Sequence, residues 1–268
     1  ESIPARIEVR GEIYMTKSVL FLHRYGPQFA SYRYRAEIPA RQLGKSGFKI
    51  GINEPGDYEI IVASKPCEED LPVLEEGKKQ GCKIIVDFAD DHFNGNKAEV
   101  HHKIAFLADR IVTGTEVMSN RLKEYIGRES TIIGDPYEQE LGVPHADGDN
   151  LLWFGHQVNM PDLTGVSQFL KGRHIHVVSG PRPIPNVTPW SPENLVSAFR
   201  QCNIVILPTR EGSEHKTANR LINSLRAGCF PVCMDHPSYF EFRDFVWVGN
   251  FLTGLRWTDA FKDILNEL

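Results

Sequence analysis

Residues 203–234 hold the strongest chemical signal in the chain. An apolar run with a buried-strand pattern, NIVILP (203–208), passes through a polar loop, TREGSE (209–214), into HKTANRLINSLRAGCFPV (215–232). The last stretch reads as a helix over 216–227, because Ala218, Leu221, Ile222 and Leu225 recur at helical spacing. Gly228 falls where a helix end favours a left-handed residue, and FPVCM (230–234) reads as the next strand. Lys216 and Arg220, four apart, are expected to share a face in the first turns. A helix N-terminus already offers unpaired N–H groups and partial positive charge. Two added cations make that end a seat for a phosphate or diphosphate. The competing reading is an amphipathic helix with solvated surface cations.

A second cluster lies in IIVDFADDHFNG (84–95), where strand-like residues lead to Asp87, Asp90, Asp91 and His92. Acids gathered at a strand end suit a metal, a general base or recognition of hydroxyls. No second His/Asp set completes a metal site, so none is expected. An Asp-rich turn capping a helix explains the same residues without chemistry. His101 and His102 are expected as a surface pair on the following helix. Farther upstream, Gly26 follows the first strand in HRYGPQFAS (23–31) and permits a close backbone approach. Arg33 and Arg35 sit on different faces of the helix after it, so at most one is expected to meet a ligand.

Taken in order, these segments resemble GT-B glycosyltransferases, in particular the large retaining group called family 4. Ala227-Gly228-Cys229-Phe230-Pro231-Val232 resembles that group's small-residue–Gly–x–Pro–Val turn, with one extra residue. The family's two glutamates eight apart fall on His215 and Asn223, so the chain departs from the common form. Lys216-Thr217-Ala218-Asn219-Arg220-Leu221 is closer to a variant with Lys-Ser-x-Asn-Arg-Leu at the helix start. Asp87, Asp90 and Phe93 align with an Asp-x-Asp-Asp-Asp-x-Phe pattern, and Asp135-Pro136-Tyr137-Glu138 resembles the family's linker start.

The resemblance implies transfer of a sugar from a nucleotide-diphosphate donor to a carbohydrate or lipid-linked acceptor hydroxyl, with retention and without a bound metal or other cofactor. It puts Lys216 and Arg220 at the diphosphate, Thr217 and Asn219 at phosphate or ribose, and Asn223 at the ribose. His215, Glu211 and Glu214 are candidates for sugar or nucleoside contact, and Gly26 and His156 complete the donor set. Asp90, Asp91 and His92 are the catalytic candidates, for acceptor or sugar recognition or as a base. Relatives carry an Arg and a Lys after the strand at 150–154; here Gly155-His156-Gln157 stands instead. A catalytically silent nucleotide-sugar or glycan-binding protein of the same fold is the alternative. A nicotinamide-binding Rossmann enzyme needs Gly-x-Gly-x-x-Gly after the first strand, and HRYGPQFAS has one glycine.

These residues need a scaffold that brings strand ends together. Strands are expected at 18–23, 47–52, 58–63, 82–87, 109–113 and 130–133, then at 150–154, 173–178, 203–207, 230–234 and 245–248. Helices alternate with them at 29–43, 69–80, 97–107 and 115–126, then at 162–170, 192–200, 216–227, 237–242 and 257–267. Alternation of this kind builds parallel sheets. The Pro-, Gly- and Asp-rich segment 135–150 reads as a linker. The expected fold is therefore α/β, GT-B: two Rossmann-like doubly wound domains facing a central cleft. Residues 1–140 would form the acceptor side, with 1–14 an extension, and 150–268 the nucleotide-sugar side.

Bulk properties narrow the partners. A net charge of −5 gives no global attraction to nucleic acid, and none is expected as a partner. No apolar run reaches the roughly 18 residues of a spanning helix, which leaves room only for peripheral membrane contact. Five scattered cysteines without ligand spacing read as free thiols in a reducing, cytoplasmic compartment.

Overall fold

A computed structural model describes residues 17–139, 141–142, 150–170 and 172–249, and the backbone of 6–9 and 12–15. The helix expected over 257–267 and residues 143–149 of the linker lie outside the described residues. The chain divides into two compact units, Glu1–Pro136 and Tyr137–Leu268.

In the first unit, β1 (Arg6–Val9) and β2 (Glu12–Met15) pair antiparallel as a separate two-stranded sheet. The main sheet is six-stranded and parallel throughout. Its strands are β3 (Ser18–Leu22), β4 (Lys49–Ile52), β5 (Ile60–Ser64), β6 (Lys83–Phe88), β7 (Arg110–Thr113) and β8 (Thr131–Ile132), in the order β4-β3-β5-β6-β7-β8. Strand alternation sends Leu20, Ile61, Ala63, Ile84 and Val86 to one face, where Leu74, Ile104, Met118 and Leu122 cover them. Those four belong to α2 (Leu71–Lys79), α3 (Ala98–Leu107) and α4 (Glu116–Ile126). Val19 and Phe21 point the other way, onto Ala36 and Ala40 of α1. Helix α1 spans 30–45 and contains one π-helical stretch, Arg33–Glu37. Thr115 caps α4 by accepting the Met118 N–H, as its position before the apolar-periodic run predicts.

The second unit also has a six-stranded parallel sheet, in the order β11-β10-β9-β12-β13-β14. The strands are β9 (Leu151–His156), β10 (Ile175–Gly180), β11 (Thr188–Pro189), β12 (Ile204–Leu207), β13 (Phe230–Cys233) and β14 (Trp247–Val248). The two-residue β11 was not expected from the sequence. Leu152, Phe154, Val205 and Leu207 face α6 (Pro192–Gln201) and α7 (Asn219–Arg226). Leu151, Trp153, Ile206 and Val232 face the opposite layer, which begins with α5 (Met160–Val166). Both units are thus doubly wound. Helix α7 closes with a Schellman arrangement. Cys229 donates to the Ser224 carbonyl and Gly228 to the Leu225 carbonyl, with Gly228 at φ +85°.

In such sheets ligands bind beyond strand C-termini where the strand order reverses. The reversal lies between β3 and β5 in the first unit, and between β9 and β12 in the second.

Candidate functional site

The second unit's reversal point is built from the end of β9, the loop after β12 and the start of α7. The helix predicted over 216–227 begins three residues later, at Asn219, with Ala218 at its N-cap. Lys216 and Thr217 therefore sit in the loop, and Lys216 does not share a helical face with Arg220. The cause is local: Lys216 N–H donates to the Ser213 carbonyl at 2.9 Å, which closes a turn before the helix can start.

Arg220 lies at the centre. A Cβ built on Gly155 would stand 3.5 Å from Arg220 Nη1, which places the guanidinium at the end of β9. Tyr239, a side chain only 3% exposed whose pKa is raised chiefly by burial, lies near enough for the Arg220 charge to oppose that rise. Nη1 is covered from water and makes no hydrogen bond. A buried donor left unmet costs about 1–3 kcal/mol, more when charged, and Asp162 Oδ1 is likewise covered and unmet. The Asp162 carboxylate is close enough for Arg220 to lower its pKa, although burial dominates and raises it. Asp162 also lies 3.7 Å from Arg210 Nη1.

The loop is held from beneath. His236, 3% exposed, contacts the Ser213 carbonyl through Nε2 at 2.9 Å, while Nδ1 accepts the Ser238 N–H. Nε2 carries a proton because a carbonyl can only accept, Nδ1 also lies 2.8 Å from the Ser238 Oγ, and burial lowers the His236 pKa. Ser238 Oγ donates to the Lys216 carbonyl at 2.9 Å. Glu214 accepts the Gly212 N–H at 2.8 Å, Glu211 is exposed, and His215, Thr217 and Asn219 are half-buried. His156 accepts the Val158 N–H through Nδ1 and caps the turn after β9. Asn223, expected at the ribose, is 4% exposed. Its Oδ1 accepts the Glu138 and Gln139 N–H groups and its Nδ2 donates to the Asn219 carbonyl. It ties the 138–139 segment to α7, an outcome that only the path of the linker decides.

At the corresponding edge of the first unit the candidate acids meet cations. Asp90 pairs with Lys65 at 2.8 Å, and Asp91 pairs with Arg121 at 2.7 Å while accepting the Phe93 N–H. Asp87 is buried beside Arg35, which also meets Asp135 at 2.6 Å and donates to the Ile133 carbonyl. Burial pushes the Asp87 carboxyl up to about 6 despite that guanidinium. Arg35, with the surface as its competing reading, is 6% exposed. His101, expected at the surface, is 4% exposed; its ring meets His92 edge-on at 5.0 Å and Nδ1 bonds the Lys97 carbonyl. Gly26 accepts the Phe29 N–H and closes a turn.

His23 at the end of β3 was not singled out in the sequence. Asn53, at φ +53°, holds both its backbone N–H and carbonyl, and burial lowers the imidazole pKa to about 4. Tyr239, His236, Asp162 and Arg210 were missed as well. The only sequence clue was HPSYF (236–240) directly after a buried strand.

Among the described residues no group of His, Cys, Asp or Glu could hold a metal ion, and no helix is long and apolar enough to cross a membrane. All five cysteines are free. No protein-family model matches the chain, and no curated protein does. Solved structures do match. TarM aligns at a TM-score of 0.54 and 9% identity, over 78% of this chain and 48% of TarM. An α1,3-fucosyltransferase aligns at 0.53 and 8% identity, over 94% of this chain and 78% of its own. The chain thus spans about half the length of TarM. With its two doubly wound parallel sheets, the chain has the α/β GT-B fold.

Proposed function

We propose that the protein transfers a sugar from a nucleotide-diphosphate donor to the hydroxyl of a carbohydrate or lipid-linked acceptor. The observation that carries this reading is Arg220. A guanidinium nitrogen lacking a hydrogen-bond partner stands at the strand-order reversal of a Rossmann-like sheet, where α/β folds bind ligands. In this reading Arg220 and Lys216 neutralise the leaving diphosphate, aided by the N-terminus of α7. That is electrostatic stabilisation of the charge that develops as the glycosidic bond breaks, and it needs no metal. Gly155 leaves room for the phosphates, and the 209–218 loop with His156 contacts nucleoside or sugar.

Retention and kinship to family 4 without its paired glutamates belong to the same proposal. Asp90 and Asp91 are already engaged by Lys65 and Arg121. Asp90, Asp91 and His92 are therefore assigned to recognition of acceptor or sugar hydroxyls, with the first unit as the acceptor side. The fold likeness to an α1,3-fucosyltransferase supports the reading at the level of architecture.

The test is a calorimetric and thermal-shift screen with UDP, GDP, ADP and dTDP and their sugars, followed by product analysis in EDTA. At 100 times its dissociation constant a true ligand adds roughly 2.7 kcal/mol of stability. The expected result is saturable binding of one nucleoside diphosphate and EDTA-resistant release of it from its sugar. Absence of any nucleotide binding would sink the proposal. Binding without turnover would leave a nucleotide-sugar-binding protein, and activity lost in EDTA but restored by Mg²⁺ would refute metal independence.

A further inference from the structure

The strand ends at the first unit's reversal point bring together three residues that lie far apart in sequence. Tyr25 follows β3, Lys65 follows β5 and Asp90 follows β6. Lys65 Nζ pairs with Asp90 Oδ2 at 2.8 Å and lies 5.0 Å from the centre of the Tyr25 ring. Tyr25 is 40% exposed and the Lys65 side chain 28%, so solvent reaches both. Exposure alone says little, since Phe106 on α3 is 65% exposed. Tyr25 differs in its place and in its support. Its N–H donates to His23 Nδ1 at 3.2 Å, its ring meets the His23 ring edge-on at 5.6 Å, and Phe29 packs against it at 4.8 Å. Lys65 is held as firmly. It has φ +52°, a conformation costly for a residue with a Cβ, and its N–H donates to the Asp87 carbonyl at 2.8 Å.

Two properties define a ligand for this cluster. A fixed aromatic ring open to solvent takes up a flat apolar surface, and its π face favours positively polarised hydrogens. An ammonium has three N–H donors, of which Lys65 gives one to Asp90. The carboxylate balances the charge, so the pair exerts little pull on an anion and still donates to neutral oxygens. A pyranose ring meets both conditions, with C–H groups on one face and hydroxyls around its rim. We propose that Tyr25 and Lys65 form a subsite for a neutral sugar ring on the first unit: the Tyr25 ring takes the C–H face, and the Lys65 ammonium, oriented by Asp90, donates to a hydroxyl. This deepens the proposed function and rests on it for the acceptor's place on the first unit. It narrows the acceptor to one that presents a sugar ring.

The experiment uses saturation-transfer NMR on the whole chain without nucleotide. The probes are the methyl glycosides of glucose, galactose, mannose, N-acetylglucosamine and N-acetylgalactosamine. Wild type is compared with Tyr25→Ala, Tyr25→Phe and Lys65→Met. The expected result is saturable binding of a glycoside, with transfer strongest to the C–H protons of one ring face. Tyr25→Ala should weaken it about tenfold and Tyr25→Phe less than about twofold, because the ring rather than the phenol hydroxyl supplies the contact. Lys65→Met should cost about fivefold, the loss of one hydrogen bond, and gives a reading independent of the Tyr25 variants. Absence of binding by every glycoside would overturn the inference. So would Tyr25→Ala and Lys65→Met variants that melt lower yet bind the glycoside as wild type does, which is what a merely structural cluster predicts. Titration with nucleoside diphosphates tests the underlying function separately. Nucleotide binding without glycoside binding removes the subsite and leaves the transferase reading, whereas glycoside binding without nucleotide binding supports the subsite and removes that reading.

Discussion

The two units share an architecture and differ in how they treat charge at the C-terminal edge of the sheet. In the first, prominent charges there answer one another: Lys65 with Asp90, Arg121 with Asp91, Arg24 with Asp70, and Arg35 with Asp87 and Asp135. In the second, Arg210 lies 3.7 Å from Asp162, and Arg220 sits at the reversal point with Nη1 making no hydrogen bond and no carboxylate within ion-pair distance among the described residues. A pre-neutralised edge has little electrostatic drive to bind an anion and suits neutral, hydroxyl-rich ligands. An edge with an unmet guanidinium donor gains when an anion arrives. Under the proposed function, this contrast is the reason for placing the phosphates at the second unit.

The largest effect should come from breaking the first unit's pairing. Arg35→Ala leaves Asp87 and Asp135 facing each other without their cation, and loss of one buried partner costs about 3–5 kcal/mol. Denaturant unfolding should register that cost, while nucleotide affinity per folded molecule stays unchanged. A loss of affinity matching Arg220→Ala would erase the distinction between the two edges.

The converse variant acts on binding. Arg220→Ala should weaken nucleoside diphosphate binding by about 1.5–3 kcal/mol, the range for a charge-assisted hydrogen bond. Titration calorimetry measures it directly, and unchanged affinity would remove Arg220 from the site.

A third prediction uses proton linkage within the first unit. His23 has a folded pKa lowered to about 4, so its contribution is complete above about 6.5 and is lost as pH falls toward 4. Asp87 has a folded pKa raised to about 6; its contribution is complete below about 3.8 and is lost as pH rises through 6. The two slopes oppose each other between pH 4 and 6, each at most about 1.4 kcal/mol per pH unit. His23→Gln removes one of them, so relative to wild type the variant should gain stability as pH falls across that window. Parallel pH profiles for the two proteins would contradict this assignment.

The smallest effect is expected at Lys216. It is exposed and lies in the loop rather than on α7. Lys216→Ala should cost diphosphate affinity no more than about 1 kcal/mol, as exposed charges do. A loss equal to that of Arg220→Ala would mean that the loop closes on the ligand.

Much of the scaffold could be read directly. Apolar runs such as Ile204–Leu207 and Lys83–Phe88, bounded by turn residues, marked the strands, and Gly228 marked the end of α7. Local sequence determines these features because side-chain period and backbone freedom are local properties. The start of α7 was misjudged by three residues. A Ser213–Lys216 turn and the His236 and Ser238 contacts outweigh the helix propensity of 216–218.

The chemistry divided along the same line. Sequence alone gathered Arg220, Lys216, Asp90 and Asp91 as charged residues near strand ends. It could not tell which charges meet. Lys65 lies 25 residues from Asp90, Arg121 lies 30 from Asp91, and Arg35 lies 100 from Asp135. Nor could it separate Asn223, spent on the backbone of Glu138 and Gln139, from Arg220, which keeps an unmet donor. Periodicity fixes which way a side chain points from its own element. Whether it meets a partner depends on residues far along the chain, and only tertiary structure brings those within hydrogen-bonding distance.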